Sequence, residues 1–355
     1  MNDLRFALRQ LRKNPGFTAV AVLTLALGIG ANTAMFRFVN AILLRPLPYK
    51  DPDRLVMVFE NHLVNGWRKS YVGASKLEEW RRQGSVFEGL AARAGGEFIL
   101  TGQSQPENVS GSRLSANAFS LLRVKPLLGR DFLPTEETYG QHHVVLLSYE
   151  LWHRRFGGDS NIVGKSIVLN AELHTVIGIM PPRTFFPETG VQLWTPLAFS
   201  PDQVRQRHAH NYTVYARLKP GITLGRANAE VETIARRLEQ SDPENKGWGA
   251  EVHFLREAMV GDSRRLLLVL LGSVGFVLLI GCVNIANLLL ARSASRGREF
   301  AIRAALGASR GQIVRQLLIE SLLIAVLGGA GGTVLASVSL DALVRCIPPD
   351  MPRIG

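Results

Sequence analysis

Leu266-Leu-Leu-Val-Leu-Leu-Gly-Ser-Val-Gly-Phe-Val-Leu-Leu-Ile-Gly-Cys-Val-Asn-Ile-Ala-Asn-Leu-Leu-Leu-Ala291 runs for 26 residues without a charge. At about 1.5 Å per residue, a helix of this length exceeds the roughly 30 Å hydrocarbon thickness of a bilayer, so the stretch reads as a membrane span. Two further runs share the property. Phe17 to Phe36 is uncharged and continues past Arg37 with Phe38 to Leu44. Arg5, Arg9, Arg12 and Lys13 precede it as they would in a signal peptide, but the apolar run is too long for one, and an uncleaved span is expected. Ser321 to Leu340 is the third run. Gly328 and Gly332 within it, like Ala26 and Gly30 in the first, are small residues four apart, a spacing that lets membrane helices pack closely.

The chain has 355 residues, with 41 Lys and Arg against 29 Asp and Glu, a net charge of +12. Taken alone, that balance fits nucleic acid or an anionic membrane surface. Its distribution decides between them. Residues 45–264 carry 27 basic and 24 acidic side chains, whereas the remainder carries 14 and 5. The excess therefore sits on the segments that flank the spans, and no nucleic-acid partner is expected. Residues 1–16 hold four basic residues against Asp3, and residues 292–316 hold six arginines against Glu299. The positive-inside rule puts both in the cytoplasm and the large middle section outside. The expected order is a cytoplasmic amphipathic helix (1–16), a first span (17–44), an external domain (45–264), a second span (265–291), a cytoplasmic connector (292–316), a third span (317–340) and the start of an external loop (341–355).

The external section mixes strand and helix patterns, which predicts an α+β domain with one substantial core or two small lobes. Arg54–Glu60, Val144–Leu147 and His210–Leu218 read as strands, Ser166–Met180 as a hairpin turning at Asn170-Ala171, and Glu251–Leu255 as a closing strand. Tyr149–Phe156 and Leu224–Gln240 read as helices, and Ser75-Lys-Leu-Glu78 as a capping box opening another that ends near Gln83.

Chemistry is sparse. Gly158-Asp-Ser-Asn-Ile-Val-Gly164-Lys165-Ser166 imitates a phosphate loop but has five residues between its glycines instead of four, and it follows a helix and precedes a strand, the reverse of what such a loop needs. His142 with His143, and His208 with His210, are pairs that lack a third ligand, so no metal is expected. Cys282 and Cys346 are too few for a disulfide framework or a metal cluster. No nucleophile elbow or zinc-protease helix occurs, and neither a catalytic residue nor a cofactor is expected.

The connector is the informative segment. Glu299 and Arg303 stand at i and i+4 and support a short helix, Gly307 suits a left-handed cap, and Ser309-x-x-Gln312 is a capping box for a new helix leading into the third span. Two readings stand: a rigid helix that passes force to the membrane rod, or a basic loop against anionic lipid. In the tail, Leu4, Leu8 and Leu11 form one stripe beside Arg5, Arg9 and Arg12, which suits a helix lying on the membrane interface or one docked to a cytoplasmic partner.

Four segments carry a resemblance: Leu8-Arg-Gln-Leu-Arg-Lys-Asn-Pro-Gly-Phe17 with Leu44-Arg-Pro-Leu-Pro-Tyr49; Leu128-Gly-Arg-Asp-Phe132; Val163-Gly-Lys-Ser-Ile167 with Val176-Ile-Gly-Ile-Met-Pro181; and Glu299-Phe-Ala-Ile-Arg303 with Leu306-Gly-Ala-Ser309. At these the chain resembles permease subunits of the ABC transporter family that includes macrolide exporters, lipoprotein-releasing permeases and FtsX division proteins, and most of all the first half of a duplicated orphan permease. The resemblance implies a bacterial inner-membrane protein with a MacB-like periplasmic core domain. A separate cytoplasmic ATPase would hydrolyse ATP and dock at Glu299, Ile302, Arg303, Leu306 and Gly307. Its closure would be transmitted to the periplasmic domain to move hydrophobic or amphipathic substrates, often with an adaptor protein, in a homodimer or with a fused second half. An FtsX-like scaffold that regulates a periplasmic enzyme without transporting is the alternative. The family pattern has a fourth span per half, and this chain stops at Ile354-Gly355, so a fragment of a longer permease or a truncated product is expected.

Overall fold

The computed structural model describes residues 2–40, 47–102, 105–182, 184, 186, 190–200, 210–261, 263–295, 297, 302, 305 and 309–346. Two units result. Residues 46–261 build one around a mixed sheet, and residues 1–45 with 262–348 supply the other, which is helical.

Among the described residues, twelve strands make the sheet: β1 Leu55–His62, β2 Trp67–Ser70, β3 Val72–Gly73, β4 Phe87–Thr101, β5 Glu107–Leu114, β6 Leu128–Gly129, β7 Val144–Leu147, β8 Ser166–Leu169, β9 Glu172–Ile179, β10 Leu193–Pro196, β11 His210–Leu218 and β12 Gly249–Phe254. The main path runs β12-β1-β11-β4-β5-β10-β7-β9-β6, with β2 on β1, β3 on β11, and β8 against β4 and β9. β10 with β5 and β7 with β9 are parallel pairs, and the other pairs are antiparallel.

Both faces of its middle are covered. Successive residues of β1 alternate between two cores: Val56 and Val58 join one, Leu55 and Met57 the other. Helices α3 (Ala74–Gln83) and α6 (Leu224–Ser241) roof the first, through Leu77 and Trp80 and through Ala227, Val231, Ile234 and Ala235, an i, i+4, i+7, i+8 stripe. Helix α4 (Ala118–Leu122) lays Phe119 and Leu122 on the second, beside Trp194, whose indole N–H donates to the Phe186 carbonyl at 2.9 Å. A third core lies under α5 (Tyr149–Phe156), where Leu151 and Trp152 meet Val145, Val176 and Ile179. One continuous sheet with three cores thus stands where the pattern left open one core or two lobes. Arg217 is fully buried in β11; its Nε donates to the Leu121 carbonyl at 2.7 Å and its Nη1 to the Asp51 carbonyl at 3.1 Å, tying the incoming chain to the middle of the sheet.

Local signals hold in most places. Ser148 caps α5 by accepting from the Leu151 N–H, Thr223 caps α6, and Asn170 and Ala171 both take positive φ in the two-residue hairpin turn. The capping box at 75–78 does not open its helix. α3 starts at Ala74 with Gly73 in the cap position, because β3 is held on β11 and the Gly73 N–H donates to the buried Glu60 carboxylate at 3.0 Å. The closing strand spans Gly249–Phe254, and a short helix α7 (Leu255–Val260) follows.

Three of the resemblance motifs converge on β9. Leu128-Gly129 pairs with Gly178-Ile179, and Gly164 donates its N–H to the Val176 carbonyl at 2.7 Å. A β-carbon on Gly178 would lie 2.7 Å from the Leu128 oxygen and 2.9 Å from the Arg130 oxygen, both backbone atoms that cannot yield cheaply. Gly178→Ala is expected to destabilise the protein by about 1–3 kcal/mol, read as a lower midpoint in thermal unfolding of the purified chain. Gly225→Ala, at a position open on all sides, should leave that midpoint unchanged or raise it.

Candidate functional site

The helical unit contains α1 (Asn2–Lys13), α2 (Pro15–Val39), α8 (Ser263–Ser295) and α9 (Arg310–Cys346). Segments Pro15–Arg37, Arg265–Ala291 and Val314–Val338 are long and apolar enough to cross a membrane. α2 is the shared partner of α8 and α9. Against α9, Ala26, Gly30, Gly328 and Gly332 come together. A β-carbon on Gly30 would lie 3.1 Å from the Gly332 carbonyl oxygen, and one on Gly332 would lie 2.9 Å from Ile29 Cβ and 3.0 Å from the Ala26 oxygen. Gly328 faces Leu25 with equally little room. Against α8, Gly28 meets Leu278, Gly281 meets Thr24, and Asn32 Nδ2 donates to the Val274 carbonyl at 3.0 Å.

At the membrane edge, Leu11 of α1 is buried with Ala21 and Ile324, so the tail helix docks on α2 and α9. The side chains of Leu4 and Leu8 lie outside the described residues. α9 opens with a complete capping box: the Gln312 N–H faces Ser309 Oγ at 3.4 Å, and the Ser309 N–H donates to Gln312 Oε1 at 3.1 Å. Of the proposed docking residues, Ile302 is helical and exposed, whereas Glu299, Arg303, Leu306 and Gly307 lie outside the described residues. Glu320, which no sequence motif singles out, is a buried acid inside α9.

The other sequence candidates have structural partners. Within Gly158 to Ser166, which leads from α5 into β8, Ser160–Ile162 forms a turn of 3₁₀ helix; Asp159 Oδ1 accepts from the Asn161 N–H and Oδ2 lies 3.6 Å from Lys165 Nζ. His210 Nδ1 sits 2.8 Å from fully buried Glu60, too far off line for a directed hydrogen bond, and its ring stacks on Trp248. Glu60 also accepts from Lys76 Nζ at 2.8 Å. His208 lies outside the described residues. His142 and His143 join His174, with ring centroids 4.4 Å and 5.3 Å apart in turn; Tyr139 stacks on His142 and Glu172 lies 3.4 Å from His143. Among the described residues, no group of three His, Cys, Asp or Glu side chains is arranged to hold a metal ion.

Residues 18–234 match the family of MacB-like periplasmic core domains, and residues 271–349 the FtsX-like permease C-terminal family. The chain belongs to the MacB/FtsX family of ABC-type permeases. It is 26% identical over 231 residues to the macrolide export ATP-binding/permease protein MacB of Chromobacterium violaceum, covering 64% of this chain and 35% of that one. It is 26% identical over 222 residues to the probable syringafactin export ATP-binding/permease protein SyfD of Pseudomonas syringae pv. tomato, covering 62% and 32%. The chain thus spans about a third of the length of these relatives. The solved periplasmic region of MacB from Actinobacillus actinomycetemcomitans aligns with a TM-score of 0.43 at 12% identity, covering 63% of this chain and 95% of that one.

Two predictions follow for this permease. Gly332→Val should loosen the α2–α9 pair by about 1–3 kcal/mol, seen as a lower helical melting temperature in detergent, while Gly329→Val, with open space around it, should not. In the domain, burial and then the neighbouring imidazoles, with Arg113 beyond them, lower the pKa of His142 against the opposing pull of Glu172. Burial and His143 likewise lower that of His174, against its backbone contact with Glu172. The fold therefore favours neutral rings. As pH falls below about 6.5, the unfolded chain takes up protons first and stability declines. The unfolding midpoint of the whole chain should be lower at pH 5.5 than at pH 7.5, and His142→Gln should shrink that difference; a variant with undiminished pH sensitivity would refute the assignment.

Proposed function

We propose that this chain is a permease subunit of an ABC-type export system in the bacterial inner membrane, with its N terminus and connector in the cytoplasm and residues 45–264 in the periplasm. A separate cytoplasmic ATPase docks on the connector helix through Glu299, Ile302, Arg303 and Leu306, and Gly307 serves as the hinge beside it. ATP is hydrolysed in that subunit. Closure of the ATPase is passed through the membrane helices to the periplasmic domain, which moves hydrophobic or amphipathic substrates of the kind that the names of the macrolide and syringafactin exporters suggest. Two permease halves, as a homodimer or a fused pair, surround the path, and a periplasmic adaptor receives the substrate.

The observation that carries this reading is α9. It begins at the connector with the Ser309–Gln312 capping box, continues unbroken for 37 residues, and packs almost backbone to backbone on α2. A helix hydrogen-bonded throughout transmits a displacement along its axis, and glycine-mediated contact leaves little side-chain slack to absorb it. α2 in turn leads in sequence into the domain. The excess of basic residues on the connector supports the cytoplasmic assignment.

The test is the double charge reversal Glu299→Arg with Arg303→Glu, assayed by co-purification with co-expressed ABC ATPase subunits. Association should fall at least tenfold while the helical melting temperature holds; unchanged association would sink the docking assignment. In proteoliposomes, stimulation of the ATPase by a macrolide or an amphiphile supports export. Stimulation only by a periplasmic protein would instead favour a regulatory scaffold.

A further inference from the structure

Three arginines meet at the end of the sheet where the incoming chain is fastened. Arg54 closes the turn before β1, Arg123 follows α4, and Arg217 belongs to β11. Two carboxylates stand among them. Arg54 Nη2 donates to Glu88 while its Nη1 lies 3.7 Å from Asp51; Arg123 Nη1 donates to Asp51 while its Nη2 lies 3.6 Å from Glu88. The two acids thus bridge the two outer arginines crosswise. Three guanidinium groups against two carboxylates leave a positive charge in excess.

The shortfall is felt at Arg217. Its Nε and Nη1 are spent on the Leu121 and Asp51 carbonyls, and its Nη2 is buried without a hydrogen-bond partner. Burial and then Arg123 push its pKa down, Arg54 adds to the push, and Glu88 and Asp51 oppose it. A buried N–H of a charged group is costly to leave unmade, and the acceptor missing here is one that carries negative charge. The outer arginines keep donors in reserve as well. Among the described residues, Arg54 Nη1 and Arg123 Nη2 make no hydrogen bond, so each of the three guanidinium groups has one unspent nitrogen. Arg54 and Arg123 are partly exposed, with side chains at 23% and 31%, and form the solvent side of the cluster, with Arg217 beneath.

We propose that Arg54, Arg123 and Arg217 form a binding site for the phosphate group of an anionic phospholipid, with Arg217 Nη2 as its innermost donor. The donor set selects phosphate. Guanidinium forks match phosphate oxygens, and a tetrahedral group can meet donors from three directions where a carboxylate offers two coplanar oxygens. The chain selects lipid. Asp51 follows Leu44, the last residue of the first apolar run, by seven positions, a length that extends to no more than about 25 Å, so headgroups are the phosphate source that the sequence keeps near the cluster. The excess positive charge favours a headgroup with net negative charge. The inference rests on reading α2 as a membrane span and on nothing about the ATPase, so its outcome is separate from that of the docking experiment.

The test uses the full chain in a neutral detergent, titrated with dioctanoyl phosphatidylglycerol, with bound lipid read by native mass spectrometry and the unfolding midpoint read in parallel. Phosphatidylglycerol should bind and raise the midpoint; dioctanoyl phosphatidylcholine and inorganic phosphate should each bind about tenfold more weakly or less. Arg54→Gln and Arg123→Gln should each weaken phosphatidylglycerol binding about tenfold, and Arg236→Gln, an exposed arginine on α6, should leave it unchanged. Glu88→Gln separates a site from a purely structural ion-pair network. It removes a competing carboxylate from a half-exposed position, so binding should tighten severalfold, whereas a structural network would lose stability without gaining affinity. Inorganic phosphate binding as tightly as the lipid would overturn the lipid assignment. Binding that survives both arginine changes, a response to Arg236→Gln of equal size, no tightening with Glu88→Gln, or no lipid bound at all would overturn the site.

Discussion

Where α2 crosses α9, the two backbones approach until the Gly332 carbonyl oxygen stands 3.1 Å from the place a β-carbon would take on Gly30. Lipid tails are as apolar as leucine, so no hydrophobic gain draws two helices together inside a bilayer, and close packing has to supply the attraction. Glycine costs a soluble helix up to about 1 kcal/mol, but here it brings whole backbones within dispersion range. The other contacts of the helical unit depend on that placement of α2. Its opposite side receives α8 through Gly28 and Asn32, and its first turns receive Leu11 of α1.

The sheet unit uses glycine for a related purpose. Gly129 has a positive φ and sits against the Ile177 carbonyl, while Gly178 faces the Leu128 and Arg130 carbonyls, so β6 and β9 meet where no side chain fits. The segments that identify the family in sequence, around Gly129, Gly164 and Gly178, therefore adjoin one another in space and serve packing and turn geometry. That also explains the imitation phosphate loop. Gly157 before it and its own Gly158 and Gly164 take positive φ to turn the chain out of α5 and into β8, and its lysine lies beside its own Asp159.

What could be read from the sequence follows from where each signal is local. α5, β7 and β11 lie where the pattern puts them, because Ser148 caps its own helix, Val144–Leu147 is a continuous apolar run, and the alternation of β11 needs no distant partner. β4 and β5 escaped notice. Gly95 and Gly96 interrupt the alternation of β4, and Gly111 of β5 is small because the Phe98 ring lies over it, a fact of pairing rather than of spacing. The capping box at Ser75 yielded to Glu60, which anchors Gly73 and moves the helix start. His210 could be read only as half of a ligand pair lacking a third member, because its partner Glu60 is 150 positions away in the chain. In the helical unit the spacings of Ala26 with Gly30 and of Gly328 with Gly332 were legible, since a separation of four is a local feature of the sequence. Glu320 was not, because only the fold shows that it is buried.

The sheet also determines how the domain meets the two chain segments that join it to the membrane helices. β1, which follows α2 in sequence, and β12, which precedes α8, are hydrogen-bonded neighbours from Val56–Phe254 to Asn61–Gly249. The incoming segment is fastened a second time, by Arg217 to the Asp51 carbonyl and by Arg123 to its carboxylate. Sliding one segment past the other would break a ladder of backbone hydrogen bonds, each costly to leave unmade once buried. β1 is in turn paired with β11, so the strand that follows the incoming segment and the strand that precedes the outgoing one belong to one hydrogen-bonded set.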